Sequence, residues 1–212
     1  MAFIVRYPTT AINSHWIPVS TYRKRPRQQR SRDMVEYMLE AAARIFERDG
    51  IDATTNRIAA QAGVSIGSLY QYFPDKHSLL HELALRHLDE VETTVADVFT
   101  PEYSDLRALV EAVVAGAVRL HEQRGDLHRM MREHAPRTPQ LTARFTEVMG
   151  ELHDRFAKAL ADDGVEDASG RACLAITTID AQVHAVLAGT KEAAEREARM
   201  ALVVEQVLTV AR

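Results

Sequence analysis

The chain has 212 residues, 46% of them hydrophobic and 26% charged, with 26 Lys and Arg against 30 Asp and Glu for a formal charge of −4. That length holds one large domain, or a small domain joined to a larger one, with enough apolar side chains for a real core; collagen-like, low-complexity and wholly disordered classes are excluded. The single cysteine, Cys173 in RACLAI, excludes an intramolecular disulfide and is expected to be a buried small hydrophobe in a reducing, cytoplasmic setting.

The opening MAFIVRYP has too short an apolar run for a signal-peptide core, and no later stretch approaches the ~18 apolar residues that would span a membrane. Residues 1–22 show no periodicity and are expected as a flexible or weakly docked leader, or equally as the product of a start codon placed too early. From residue 27 onward apolar residues recur at threes and fours, without β-type alternation, so an all-α chain is expected. The first helix is predicted over 28–48, with Val35, Met38, Leu39, Ala42, Ile45 and Phe46 on one face and Gly50 as a left-handed stop. Residues 52–55 offer hydroxyl caps for a brief helix over 56–62, with Ile58, Ala59 and Ala62 inward and Gly63 closing it. Ser65 caps a third helix over 66–73, with Val64 and Leu69 inward, and Pro74 and Asp75 break and restart the chain. A longer helix over 76–99 carries the stripe Leu79, Leu80, Leu83, Leu88, Val91 and Val95 and links two regions. Further helices are predicted at 104–122, 126–134, 139–160, 168–187 and 192–210, separated by Gly125, Pro136, Gly164 and Gly189. The last two are apolar enough to want a partner surface.

The mildly acidic total hides an asymmetry. Residues 1–76 carry 11 basic and 7 acidic side chains, whereas residues 77–212 carry 15 and 23. The densest basic run, RKRPRQQRSR at 23–32, has six positive charges and no acid, which suits an arm against phosphate or in a minor groove as well as a plainly solvated leader. Downstream, TNRIAAQAGVSIGSLYQYF at 55–73 has the arithmetic of a helix-turn-helix: a short helix, a glycine turn, an apolar plug at Val64 and a second short helix capped by Ser65. The second helix of such a unit fits the DNA major groove, and here it offers Ile66, Gly67, Ser68, Tyr70, Gln71 and Tyr72. Gly67 allows close approach, Ser68 and Gln71 can hydrogen-bond base edges, and Ile66 can meet a thymine methyl. Thr55 and Asn56 begin the preceding helix, where hydroxyl, amide and backbone N–H groups hold phosphate. Leu69, Phe73, Ile58 and Ala59 read as core, and Gly63 and Ser65 as serving backbone geometry.

The stretch TTNRIAAQAGVSIGSLYQYFPDKHSLL resembles the signature of the tetracycline-repressor (TetR) family over roughly residues 27–88, with its paired Thr, IA-xx-AGVS, G-x-LY-x-YF and K-x-x-LL elements. The resemblance implies an N-terminal three-helix, homeodomain-like helix-turn-helix domain at 23–86 and a larger helical effector-binding and dimerisation domain at 87–212. It also implies that Tyr70 touches backbone phosphate, that Lys76 anchors another phosphate and that Tyr72 lies close to DNA. As implied partners it gives a double-stranded, near-palindromic DNA operator, a second copy of the chain through the last two helices, and a small-molecule effector that moves the helix from Lys76. A two-fold dimer sets two recognition helices one DNA turn apart, ~34–36 Å, which gives the dimer an independent physical reason. No cofactor, metal or membrane partner is expected, and repression is the expected sign of regulation.

For the effector pocket, Met130, Met131, His134, Phe145, Met149, Phe156 and His184 combine flexible apolar surface with polar tips. Each Met or Phe at helical spacing reads equally as core. Asp180 and His184, four residues apart, read either as a polar pair at the dimer seam or as a ligand anchor. Two other functions compete: a DNA-binding protein whose C-terminal half only dimerises, and a metal-dependent enzyme. The second draws on His77 and His81 at one helical face, but Leu85 stands where HExxH needs its second histidine, so the pair reads as solvated helix surface, with His121, His128, Glu133 and His134 looser still.

Overall fold

The computed structural model describes residues 28–122, 124–184 and 192–211, and among these it contains nine α-helices and no strand. They are α1 (Gln29–Asp49), α2 (Thr55–Gln61), α3 (Ile66–Tyr72), α4 (Lys76–Val98), α5 (Leu106–Glu122), α6 (Gly125–His134), α7 (Pro139–Asp162), α8 (Ala168–Gln182) and α9 (Ala193–Ala211). The expected leader, the basic residues 23–27, the end of the predicted 168–187 helix and the break at Gly189 lie outside the described residues.

Local chemistry sets most boundaries. Thr54 Oγ1 accepts from the Arg57 N–H at 3.3 Å, Ser65 Oγ from Ser68 at 3.0 Å, Asp75 Oδ1 from Ser78 at 2.8 Å and Thr138 Oγ1 from Leu141 at 3.1 Å, each satisfying an amide that the first helical turn leaves without a partner. Gly63 (φ 68°) takes the left-handed turn between α2 and α3 that a side chain would strain. Gly50 also has positive φ, 57°, but its ψ of −137° lies outside the left-handed helical region, because the chain passes into a single 3-10 turn over Gly50–Asp52 instead of a simple stop. Gly125 is no break: it is the first residue of α6.

Two hydrophobic cores result. In the first, Val35, Met38, Leu39, Ala42, Ile45 and Phe46 of α1 pack with Ile58, Leu69, Phe73, Leu79 and Leu80. Leu127, Met130 and Met131 of α6 complete it, and Leu141 of α7 packs against it. The second core gathers Val110 and Val114 of α5, Phe156 and Leu160 of α7, Ala172, Ala175 and Ile179 of α8, and Val203, Val207 and Leu208 of α9. α4 runs unbroken from one core to the other, from Leu79 to Val98. It crosses α5 closely at Gly116, where a Cβ would stand 3.1 Å from methyls of both Thr94 and Val98. On its outer side Arg144 of α7 is held by Asp89, Glu92 and Glu147 at 2.8, 2.6 and 3.1 Å. Cys173 is only half-buried, because it lies beside the inward Ala172 on α8 and not on its core face.

The histidines depart furthest from expectation. His81 is fully buried, its Nε2 2.7 Å from the Oγ1 of Thr138, so it joins α4 to the cap of α7 and is not solvated surface. His121 and His128 are also buried, because they fall on the inward faces of α5 and α6. Burial holds all three imidazoles toward their neutral forms, with His121 lowered to about 4 and His128 to about 2 from an ordinary 6.5. The Asp180 carboxylate opposes the shift at His121, and Arg124 adds to that at His128. A histidine whose folded pKa is depressed takes up its proton in the unfolded chain first. Stability is therefore full above pH 6.5 and falls as the pH drops toward 4, by up to about 1.4 kcal/mol per pH unit for each such group. Urea midpoints in chelator-treated buffer are expected to fall from pH 7 to pH 5, and His128→Leu is expected to shallow that fall; a flat wild-type profile would contradict neutral burial.

Candidate nucleic-acid interface and effector cavity

α3 has only seven residues, and its two sides differ sharply. Leu69 is buried against α1 and α2, while Gly67, Tyr70 and Gln71 are exposed and Ser68 is half-buried. Ile66 is half-buried against the first core, which leaves part of its side chain outward. A Cβ on Gly67 would meet only Ser65 Oγ, at 3.8 Å, so the free protein keeps this approach open and does not need the glycine for its own packing. Ser65 is committed to geometry: its Oγ accepts from the Ser68 amide and lies 2.8 Å from Ser68 Oγ.

The exposed face is tied to α2. Tyr70 Oη stands 3.0 Å from Thr55 Oγ1, fixing the phenol against the first turn of the preceding helix. Asn56 is exposed beside that bridge. Arg57, which periodicity and motif reading both passed over, is exposed in the same turn and pairs with Asp49 Oδ2 at 2.9 Å. Two of the predicted residues lie partly inside the fold. Tyr72 is 7% exposed and its ring belongs to the first core, because it follows Leu69 by three residues onto the inner side of α3. Lys76 is half-buried, and its ammonium donates to the carbonyls of Ile51 at 2.6 Å and Ala53 at 3.3 Å, so it pins the start of α4 to the loop before α2 and retains one of three N–H groups for an anion.

The residues predicted for the effector pocket do not converge. Phe145 is 39% exposed on the surface of α7, His134 is exposed at the end of α6, Phe156 fills the second core and Met149 packs against it, and Met130 fills the first core. Methionine and phenylalanine at helical spacing carry no signal that separates a core from a cavity. A cavity of about 830 Å³ among the described residues lies between α1, α4, α5 and α6. Tyr37, Leu39, Leu83, Leu120 and Met131 give it apolar wall, and Glu36, Glu40, Arg86, Arg119, Arg124 and His128 give it charge and polarity. Of the predicted set it takes only Met131. Arg124 donates to both oxygens of Glu40, at 2.9 and 3.0 Å. Burial would raise the Glu40 carboxyl, but Arg124 and Arg44 outweigh it and hold the group below its usual range. His184 takes no part in this wall. Its Nε2 is 3.2 Å from Asp180 Oδ1 and its ring stands edge-on to His121, 4.5 Å between centroids.

Residues 38–83 match the sequence profile TetR_N, described as bacterial regulatory proteins, tetR family. Over 140 residues the chain is 31% identical to the HTH-type transcriptional repressor KstR2 of Rhodococcus jostii RHA1, a match spanning 63% of this chain and 66% of the repressor. Its fold is similar to a TetR family transcription regulator from Marinobacter aquaeolei VT8, with TM-score 0.62 and 21% identity over 84% of this chain and 96% of that one. It is also similar to the transcriptional regulator FadR of Bacillus subtilis, solved in complex with stearoyl-CoA, with TM-score 0.60 and 17% identity over 84% and 97% of the two chains. Sequence in the head and architecture throughout agree, and the chain belongs to the TetR family of bacterial regulatory proteins.

Proposed function

We propose that the protein is a transcriptional repressor that binds a near-palindromic operator as a homodimer and is released by a small-molecule effector. The observation that carries this reading is α3: a short, capped helix that buries Leu69 and Tyr72 and turns Gly67, Tyr70 and Gln71 to solvent beside Thr55 and Asn56. In this reading residues 23–86 are the reading head. Thr55, Asn56, Tyr70 and the remaining N–H of Lys76 position it on phosphates, while Ser68, Gln71 and the open edge at Gly67 meet the bases.

The effector site is the cavity between α1, α4, α5 and α6, in place of the dispersed Met and Phe set. A ligand there touches α1 of the head and α5 and α6 of the body at once. It would therefore bias the angle of the head, and linkage requires DNA and effector to weaken each other by the same factor. The dimer partner of the reading is a second copy through α8 and α9, whose outer faces leave Leu174 54% and Leu202 65% exposed in the single chain.

Three outcomes are expected. Tyr70→Phe removes the hydroxyl at the α2–α3 bridge and is expected to weaken matched and mismatched duplexes alike while leaving the salt slope of binding unchanged, because no charge is lost, measured by fluorescence anisotropy across salt concentrations. A changed base preference would instead make Tyr70 a reading residue. Gly67→Ala is expected to fold with the wild-type melting temperature or slightly above it, since the added methyl meets open space, yet to lose operator affinity at least tenfold; unaltered affinity would remove α3 from the groove. Leu174→Glu with Leu202→Glu is expected to give a monomer by light scattering, and a persisting dimer would place the seam elsewhere.

A further inference from the structure

Four imidazoles from four segments meet where α4, α5, α6 and the end of α8 converge. Ring centroids are 4.2 Å apart for His87 and His128, 4.5 Å for His121 and His128, 4.5 Å for His121 and His184, and 5.4 Å for His87 and His121. Apolar packing does not account for such a group, since each ring carries two polar nitrogens into the interior. The Nδ1 atoms of His87 and His128 are buried without a hydrogen bond; that of His87 lies 3.6 Å from Glu90 Oε2, and His87 holds the Glu90 carboxyl below its usual range. His128 is itself 8% exposed.

The other two rings are oriented from behind. His121 Nδ1 stands 2.7 Å from the Ala117 carbonyl, which can only accept, so the proton is on Nδ1 and the lone pair on Nε2. His184 Nε2 faces the Asp180 carboxylate at 3.2 Å, which places its lone pair on Nδ1. A carbonyl or carboxylate behind an imidazole, fixing tautomer and ring angle, is the outer arrangement that metal-ligating histidines use.

We propose that His87, His121, His128 and His184 bind a single divalent d-block cation of the zinc, cobalt or nickel class. Four imidazole nitrogens, with the Glu90 and Asp180 carboxylates set behind the rings, suit borderline cations and not magnesium or calcium. With metal–nitrogen bonds of about 2.0–2.1 Å, tetrahedral imidazoles have centroids roughly 5 Å apart. Four of the six separations among the rings are in contact range, at 4.2 to 5.4 Å around that spacing, with His184 joined to the group through His121. As the rings stand, no three donor atoms among the described residues face one point. The rings free to adjust are His87 and His128, whose Nδ1 atoms have no hydrogen bond; χ2 is a broad and soft torsion in histidine, and convergence on one ion requires these two rings to turn toward the lone pairs that Ala117 and Asp180 hold in place. His87 and His128 also line the 830 Å³ cavity, which is the route of entry from solvent. The bound ion ties α5, α6 and the end of α8 to the helix that carries the head; that coupling rests on the repressor reading, whereas the site does not.

The test is a Co2+ titration of the chelator-stripped full chain. It is expected to show saturation at one equivalent per chain, the visible d–d bands of a four-coordinate nitrogen site, their loss on adding Zn2+, and a rise in melting temperature with Zn2+. His87→Gln with His184→Gln alters the two less buried rings; the variant is expected to keep the wild-type circular dichroism and to bind Co2+ at least tenfold more weakly. Should that variant fail to fold, X-ray absorption at the zinc edge of the Zn2+-loaded wild type is expected to show four imidazole nitrogens, and any other ligand set overturns the site. Absence of saturable Co2+ uptake at micromolar concentrations overturns it too, as do bands unchanged in the folded variant, which would assign them to surface histidines such as His77, His134 and His153. Operator affinity measured with and without Zn2+ is expected to differ, and equality overturns the coupling alone. A chain that binds Co2+ but no DNA overturns the repressor reading and leaves the site standing.

Discussion

The organisation of the molecule depends on α4 belonging to both hydrophobic cores. Its 23 residues span roughly 34 Å at ~1.5 Å per residue, with Leu79 and Leu80 in one core and Val98 in the other. Its first turn is locked twice, by the reciprocal Asp75 and Ser78 cap and by the Lys76 ammonium on the carbonyls before α2. Farther along, Arg144 fastens it to α7 and the bare surface of Gly116 lets α5 settle against it. A rod held this way cannot shift at one end without disturbing contacts at the other. Both the cavity and the histidine cluster lie along its middle, where a small change has leverage on the head.

The charge pattern acquires a spatial meaning on this scaffold. Several acidic side chains of the body are paired: Arg144 draws on three carboxylates, Arg107 on Glu205, and Arg155 on Glu151. Exposed pairs of this kind contribute little to stability singly; those of Arg144 with Asp89 and Glu92 join α7 to α4, and that of Arg107 joins α5 to α9. In the head, Arg48 and Arg57 share Asp49 and both remain more than half exposed, so their outer edges still present positive charge toward a polyanion.

What the sequence made legible was local. The caps at Ser65 and Asp75, the turn at Gly63 and the stripe of α1 depend on residues within one or two turns of each other, and the fold class and helix-turn-helix follow from them. What it concealed was long-range. The cavity brings Tyr37, Leu83 and Arg119 together from three helices, and nothing in any one helix marks them. Nor does a methionine's spacing tell a core from a pocket, since the same side chain serves both, and the burial of Tyr72 follows from a helix of seven residues having to bury part of its own length. The histidine cluster did leave a trace: His121 follows Val114 and Val118 at seven and three residues, squarely within the apolar stripe of α5, where a solvated residue has no place.

The entry of α6 into the first core changes what counts as the head. Leu127, Met130 and Met131 are separated from α1 to α3 by all of α4 and α5, yet they seal the same apolar interior, with Leu141 beside them. The reading head is thus a discontinuous block, closed by chain that is made only after α4 and α5. Any recombination that exchanges specificity between relatives must carry α6 and the start of α7 along with the helix-turn-helix, or leave the transplanted head with an open side.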